Sequence, residues 1–204
     1  MKFDNSKKLY EEAKKMVPGG VSSSIRQSEW PVPLFFKSAK GSKMTDVDGN
    51  QFIDYVMGMG PNIFGHSPDF ITNSVYKDMQ DGFCLTGQSE KENELSEFVE
   101  RTLPFKRKFR YASSGTEIVQ IALRLARSYS NKNKFLKFEG HYHGWMDSVL
   151  YNSHPDVSSE ETLFDPIAES GGISKGTADE VVIAPWNDVE ALENILKDQH
   201  KDIS

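Results

Sequence analysis

Three small residues at the start of a predicted helix could bind a phosphate group. Ser114, Gly115 and Thr116 precede apolar positions in helical spacing, namely Ile118, Ile121, Ala122, Leu125 and Ala126. A helix start leaves backbone N–H groups unpaired and carries the positive end of the peptide dipole. Gly115 lets an anion approach that backbone, and the flanking hydroxyls add donors. The alternative is that Ser114 and Glu117 form a capping box, which also opens helices that bind nothing.

An aromatic residue lies in a glycine-flanked turn a short distance after this helix. Tyr142 follows a predicted strand at 134–138 and stands in the run Gly-His-Tyr-His-Gly. Its ring could stack on a flat heterocycle whose phosphate lies on the first helix, with His143 beside that heterocycle. His141 and His143 also allow a metal-site interpretation, because side chains two residues apart on a strand share a face. No further ligand motif accompanies them, so we favour the heterocycle and predict no metal.

The elements that must position these residues form an α/β pattern. Apolar periodicity predicts helices at 6–16, 69–81, 88–102, 116–130 and 189–199. Asn5 or Ser6 is expected to cap the first helix. Strands are predicted at 31–37, 41–54, 109–112, 134–138 and 180–183. Asp48 and Gly49 form a hairpin turn within the second strand segment, and His66 is a loop or cap residue rather than a ligand. The alternation after residue 109 predicts a mainly parallel sheet with ligands at the carboxyl ends of its strands.

Composition and charge narrow the class of protein. The 204 residues carry a formal net charge of −6, which argues against nucleic acid as a main partner. One basic cluster, at 106–110, falls in a predicted loop where solvation explains it. The single cysteine, Cys84, excludes an internal disulfide and fits a reducing compartment. No apolar run approaches the roughly 20 residues of a membrane span. The sequence therefore predicts a soluble cytoplasmic protein without a membrane or nucleic-acid partner.

Taken together, the motifs resemble a known enzyme family. The segments SGTE at 114–117 and FEGHYHGW at 138–145 are similar to the fold-type I pyridoxal-phosphate enzymes of aminotransferase class III. Within that family they are most similar to its glutamate-1-semialdehyde 2,1-aminomutase branch. Four further segments occur in the family's order and approximate spacing: VPGGVSSSIR at 17–26, DVDGNQFIDYV at 46–56, MGPNIFGHSP at 59–68 and APWNDVEAL at 184–192. The resemblance covers nearly the whole chain.

The resemblance implies a fold and a cofactor. Residues 59–204 would form the first part of a large domain that binds pyridoxal 5'-phosphate on a mainly parallel sheet, truncated at its C-terminus. Residues 1–58 would form an N-terminal helix and β-hairpin segment. A homodimer with active sites near the subunit interface is also implied. The implied cofactor-binding residues are Ser114, Gly115, Thr116, Tyr142 and His143.

Three residues are implied on the substrate side. In the family the arginine that matches Arg26 binds a substrate carboxylate, and a guanidinium suits that role because it pairs bidentately with carboxylates. Ser23 belongs to the same hydroxyl-rich turn. Met59 stands where the aminomutases generally have a tryptophan before Gly-Pro, and its smaller, flexible side chain would reshape the pocket. The expected substrate is a small amino or carbonyl compound that carries a carboxylate.

The implied activity is amino-group transfer, with alternatives left open. The transfer would occur within one molecule, as in an aminomutase, or between molecules, as in a class III aminotransferase. In the family the Schiff-base lysine and the aspartate at the pyridine nitrogen lie on later strands, so no catalytic residue is assigned here. The chain is therefore expected to be the N-terminal half of an enzyme, inactive and weakly folded alone. A truncated, non-catalytic protein that binds the cofactor or a partner subunit is the other possibility.

A long segment at 147–177 is the last expected feature. In the family the corresponding region is a mobile gate over the active site, and Gly171, Gly172 and Gly176 supply hinge candidates. The alternative is simple surface elaboration.

Overall fold

The computed structural model describes residues 1–154 and 164–204, so residues 155–163 of the expected gate at 147–177 lie outside the described residues. The chain divides into two units, Met1–Glu92 and Asn93–Ser204. The predicted division into an N-terminal helix and β-hairpin segment at 1–58 and the first part of a large domain at 59–204 stays a prediction. No helix of the described residues is long and apolar enough to cross a membrane.

The first unit begins with helix α1 and a small antiparallel sheet. Helix α1 spans Asp4–Ala13, and the strands are β1 (Phe36–Lys40), β2 (Lys43–Asp46) and β3 (Gln51–Ile53). They pair in the order β1-β2-β3, both pairs antiparallel. Helix α2 spans Asp69–Gln80, and helix α3 spans Glu90–Thr102 and crosses the boundary between the units. Both helices agree with the predicted ones to within two residues at each end.

The N-terminal helix is capped by a distant carboxylate rather than by its own residues. Asp48 Oδ1 accepts the Asn5 N–H at 2.8 Å, and Asp48 Oδ2 accepts the Ser6 N–H and the Ser6 hydroxyl, each at 2.9 Å. The predicted cap by Asn5 or Ser6 was therefore wrong, and the helix begins at Asp4 and ends at Ala13 rather than spanning 6–16. The hairpin turn that carries Asp48 anchors the helix, because a carboxylate satisfies the unpaired N–H groups of a helix start.

The predicted hairpin turn at Asp48 and Gly49 is confirmed. Gly49 has a φ of +88°, and its N–H donates to the Asp46 carbonyl at 3.2 Å. The strand predicted at 31–37 was wrong in position, because pairing starts only at Phe36. Two prolines, Pro31 and Pro33, occupy the earlier stretch and have no N–H to donate to a ladder.

The second unit is built on two parallel strands. Helix α4 spans Gly115–Ser130, strand β4 Phe135–Phe138, strand β5 Val181–Ala184 and helix α5 Val189–Gln199. Strands β4 and β5 pair in parallel from Phe135 opposite Val181 to Phe138 opposite Ala184. A parallel bridge between Lys134 and Ile203 continues the pattern. The predicted α/β order with a parallel sheet is confirmed.

One predicted strand of this unit is absent. Residues 109–112 have no strand partner within the described residues, although the rings of Phe109 and Tyr111 stack at 6.5 Å. An apolar, extended stretch becomes a strand only where another strand accepts its backbone hydrogen bonds. The prediction at 109–112 was wrong for that reason.

The core of the second unit lies around the two parallel strands. The buried cluster joins both strands to the segment after β4 and consists of Phe135, Val149, Tyr151, Val181 and Ile183. Helix α4 packs Val119 and Leu123 against this cluster. The sheet and helix that would carry a ligand at their ends are therefore held by one apolar core.

Shortening a side chain at the centre of this core should strongly lower the stability of the second unit. Ile183 is 1% exposed, so Ile183→Ala should lower the free energy of unfolding by about 2–5 kcal/mol, the range for a buried isoleucine. Ile167→Ala is the control, because Ile167 lies in the same unit and is 48% exposed. The control should cost about 1 kcal/mol or less. Urea unfolding of both variants measures the difference, and equal losses would contradict this assignment of the core.

Candidate functional site

The start of helix α4 offers unpaired backbone donors. Ser114 is the N-cap: its Oγ accepts the Glu117 N–H at 3.3 Å, which is the Ser114 half of the capping box, and donates to Glu117 Oε2 at 3.0 Å. Across the described part of the chain, nothing accepts the N–H groups of Gly115 and Thr116. A Cβ at Gly115 would meet no heavy atom within 4 Å. The helix cap and two free N–H donors therefore coexist, because the cap uses the N–H of Glu117 and leaves those of Gly115 and Thr116.

The glycine-flanked turn after β4 lies directly on this helix start. Gly144 has a φ of +103°, and a Cβ placed on it would lie 2.4 Å from Thr116 Oγ1 and 2.9 Å from Thr116 Cα. Only a glycine can hold the turn this close to the helix. Tyr142, two residues earlier, is 58% exposed. The structure thus brings together the two stretches that the sequence suggested should share one ligand.

An aromatic cluster occupies the carboxyl ends of the two parallel strands. The His141 ring lies 4.4 Å from the Trp186 ring and 5.7 Å from Phe138, and Phe138 meets Trp186 edge-on at 5.1 Å. Sequence reasoning missed the pairing of His141 with Trp186. The available signal was a tryptophan two residues beyond a buried strand, at the edge where the site was expected.

The two histidines of the turn, His141 and His143, lie in different surroundings. Their rings are 6.1 Å apart at 66°, and His141 faces Trp186. Residues 1–154 and 164–204 contain no group of three or more His, Cys, Asp or Glu side chains that could hold a metal ion. Burial lowers the pKa of His143, and the nearby charges of Lys137 and His141 act in the same direction. His143 is therefore a neutral imidazole at neutral pH.

The substrate-side candidates all lie in the first unit. Arg26 sits in a short 3-10 turn, Ser24–Ser28, and its N–H donates to the Ser23 carbonyl at 3.0 Å. The Arg26 side chain forms no ion pair within the described ranges, and the turn is exposed. Ser23 and Arg26 are adjacent, as the motif suggested, and their roles stay predictions.

Met59 is held in an unusual backbone conformation. Four successive residues have positive φ: Met57 (+50°), Gly58 (+66°), Met59 (+65°) and Gly60 (+106°). A left-handed methionine is costly unless surrounding contacts hold it. The Met59 side chain is 70% exposed. Its expected place in a substrate pocket stays a prediction.

A buried carboxylate anchors the loop that carries Met59. Asp54 Oδ1 accepts the N–H groups of Val56 at 2.9 Å and Met57 at 3.0 Å, and Asp54 Oδ2 pairs with His66 Nε2 at 2.7 Å. These hydrogen bonds hold the pKa of Asp54 below its usual range. The bond from Met57 has the largest effect, and the bond from His66 comes next. His66 is a loop residue, as predicted, and Asp54 is the partner that the sequence did not indicate.

Comparison with known proteins identifies the family. The model of the aminotransferase class-III family matches residues 24–204, which is most of the chain. The chain belongs to this family. It is 39% identical over its whole length to the glutamate-1-semialdehyde 2,1-aminomutase of Thermodesulfovibrio yellowstonii and covers 47% of that protein. The chain therefore spans about half the length of the curated relatives it matches.

Solved structures of transaminases share the fold of this chain. An omega-transaminase from Sphaerobacter thermophilus superposes with a TM-score of 0.86 at 27% identity, over 97% of this chain and 45% of that one. A transaminase solved with PLP bound superposes with a TM-score of 0.89 at 29% identity, over 99% of this chain and 46% of that one. The resemblance and the fold type I assignment are thereby confirmed.

Adding a methyl group at Gly144 should separate the turn from the helix. Gly144→Ala combines a positive φ with a Cβ 2.4 Å from Thr116 Oγ1, whereas Gly140→Ala has a similar φ of +74° and open space. The control should lose about 1–2 kcal/mol of unfolding free energy from its backbone conformation. Gly144→Ala should lose a further 1–3 kcal/mol or so from overpacking. Urea unfolding compares the two, and equal losses would show that the close contact is not a constraint.

The anchor of the Met59 loop should make the first unit sensitive to acid. The pKa of Asp54 is lowered on folding, so its stabilising effect is full above the unfolded value of about 3.9 and is lost as the pH falls through the folded value. The free energy of unfolding of the parent should therefore fall toward that of Asp54→Asn in acid. Asp81→Asn, which changes an exposed carboxylate, serves as control. A gap between parent and Asp54→Asn that does not shrink between pH 5 and pH 2 would disprove the assignment.

Proposed function

We propose that this chain supplies the phosphate-binding and ring-binding parts of a pyridoxal-phosphate-dependent enzyme that transfers amino groups. The observation that carries the proposal is the contact of the turn after β4 with the first turn of α4, at Gly144 and Thr116. It joins an anion site and an exposed aromatic ring in one place. Family membership and the PLP-bound relative support the same cofactor.

The residues of the second unit suit the two ends of this cofactor. The free N–H groups of Gly115 and Thr116 and the Thr116 hydroxyl would hold the phosphate, aided by the helix dipole. The exposed ring of Tyr142 would stack on the pyridine ring, and the neutral His143 would adjoin it. Ser114 would act mainly as the helix cap, since its hydroxyl proton is already bound by Glu117. When bound, the cofactor supplies an aldehyde that takes up amino groups and a ring that accepts electrons.

The substrate would be a small amino or carbonyl compound with a carboxylate. Arg26 is the proposed carboxylate ligand, with Ser23 beside it and Met59 shaping the pocket. The curated relatives favour a glutamate-1-semialdehyde 2,1-aminomutase activity in which the amino group moves within one molecule. Intermolecular transamination is the second candidate, favoured by the high TM-scores of the transaminase structures and by Met59.

We further infer that the protein acts as a homodimer in the cytoplasm. The first unit exposes an apolar patch in which the Phe64 and Phe70 rings meet edge-on at 5.4 Å and are 62% and 64% exposed. Such patches are typical of association surfaces. The single cysteine fits a reducing compartment.

Cofactor binding tests the proposal directly. Pyridoxal phosphate titrated into the protein should produce a saturable change in its absorbance, and Tyr142→Ala should weaken binding about tenfold, because it removes a stacking partner. Tyr129→Ala is the control, since Tyr129 is 92% exposed on α4 and lies away from the site. Borohydride treatment followed by peptide mapping shows whether a lysine of the chain holds the cofactor covalently. The cofactor proposal is falsified if the parent shows no saturable binding.

A further inference from the structure

A buried lysine, Lys137, lies next to the candidate site. Lys137 is the third residue of β4 and is 3% exposed. It shares the inward face of the strand with Phe135, because side chains two residues apart point the same way. An ammonium group is costly to remove from water unless its N–H donors are satisfied. A methionine or leucine would fill this position more easily, so the charge calls for an explanation.

The ammonium binds one short stretch of backbone. Lys137 Nζ donates to the carbonyl of Tyr151 and lies 3.4 Å from both the Val149 carbonyl and the Ser153 hydroxyl. In the part of the chain that the structure describes, it forms no salt bridge. All three oxygens belong to the segment 149–153, which we call the anchor segment. The lysine therefore fastens this segment to β4.

The anchor segment in turn holds the turn that carries Tyr142 and His143. The Gly140 N–H donates to the Asn152 carbonyl at 2.7 Å. On its other side the Asn152 N–H donates to the Ile167 carbonyl at 3.0 Å, and Asn152 Oδ1 accepts the Ile167 N–H at 2.7 Å. The anchor segment is thus the layer between Lys137 and the site turn.

The carboxylate of Glu169 also binds the anchor segment, at Ser153. Glu169 Oε1 accepts the Ser153 N–H at 2.5 Å and the His154 N–H at 2.8 Å. Burial pushes the pKa of Glu169 upward, but its hydrogen bonds from His154 and Ser153 outweigh this and keep the pKa below its usual value. Burial lowers the pKa of Lys137, and the charge of Glu169 opposes that shift. The charge of Lys137 also lowers the pKa of His143.

We propose that Lys137 is a positioning residue of the cofactor site, whose ammonium fixes the anchor segment and, through the Gly140–Asn152 hydrogen bond, sets where Tyr142 and His143 stand. The ligand named for this site rests on the proposed function; the positioning rests on the contacts alone. In this role Lys137 touches no cofactor atom and acts only through the backbone of the anchor segment.

Replacing the ammonium by an apolar group of similar length tests the idea. Lys137→Met should raise the midpoint of the His143 titration, followed by NMR of the cofactor-free protein and assigned with His143→Gln, because a positive charge is lost and the turn loosens. It should also raise the dissociation constant for pyridoxal phosphate about tenfold. Lys197→Met is the matched control on α5, where the lysine is 69% exposed, and it should change neither quantity. Lys137→Arg, which keeps the charge and donors, should lie closer to the parent than Lys137→Met.

The outcomes separate the two proposals. A folded Lys137→Met with parental His143 titration and parental affinity would overturn the positioning role. Should Lys137→Met fail to fold, Ser153→Ala keeps the charge of Lys137 but removes one contact of its ammonium. It should shift both quantities in the same direction by less than Lys137→Met, because only the loosening of the turn remains. Parental values for Ser153→Ala would then overturn the role. A parent that binds no pyridoxal phosphate would reject the proposed function, while the His143 titration would still decide the role of Lys137.

Discussion

The absence of a side chain at Gly144 is the constraint on which the candidate site depends. Because nothing projects from this residue, the turn after β4 can lie on the first turn of α4, at Thr116. The parallel register of β4 and β5 places Phe138 opposite Ala184, so both strands end at the same edge. The contact between the His141 and Trp186 rings and the open N–H groups of α4 then fall at that edge. A ligand with a phosphate and a flat ring would find both of its binding surfaces there.

The groups described at this edge are mostly without formal charge. Unpaired N–H groups at the start of α4 supply positive potential. Burial lowers the pKa of His143, and the ammonium of the buried Lys137 is held by backbone carbonyls. An arrangement of this kind can bind an anion without a competing side-chain ion pair. It also makes the site depend on backbone geometry, which the anchor segment provides.

In the first unit, carboxylates that accept backbone N–H groups hold the backbone geometry. Asp48 caps α1 from the hairpin turn, and Asp54 holds the loop with its four residues of positive φ. Glu169 does the same for Ser153 and His154 in the second unit. Each of these acids accepts two backbone N–H groups and so holds the segment that carries them. The Asp54 contacts are local, two and three residues along the chain, whereas those of Asp48 and Glu169 join residues far apart in the sequence.

Local patterns alone predicted that the helices and the two central strands exist and where the motifs lie, although the first helix differs in its bounds and cap. Helix α5 was predicted at 189–199 and found there, and α4 begins one residue before its predicted start. Periodicity, capping residues and turn dipeptides act within a few residues, so they can be read from the chain directly. Tertiary structure decided the rest: the cap on α1 comes from 42 residues away, and Lys137 reaches a carbonyl 14 residues away. The stretch 109–112 looked like a strand but lacks a partner among the described residues. Such features depend on which distant groups folding brings together, and no local pattern encodes that.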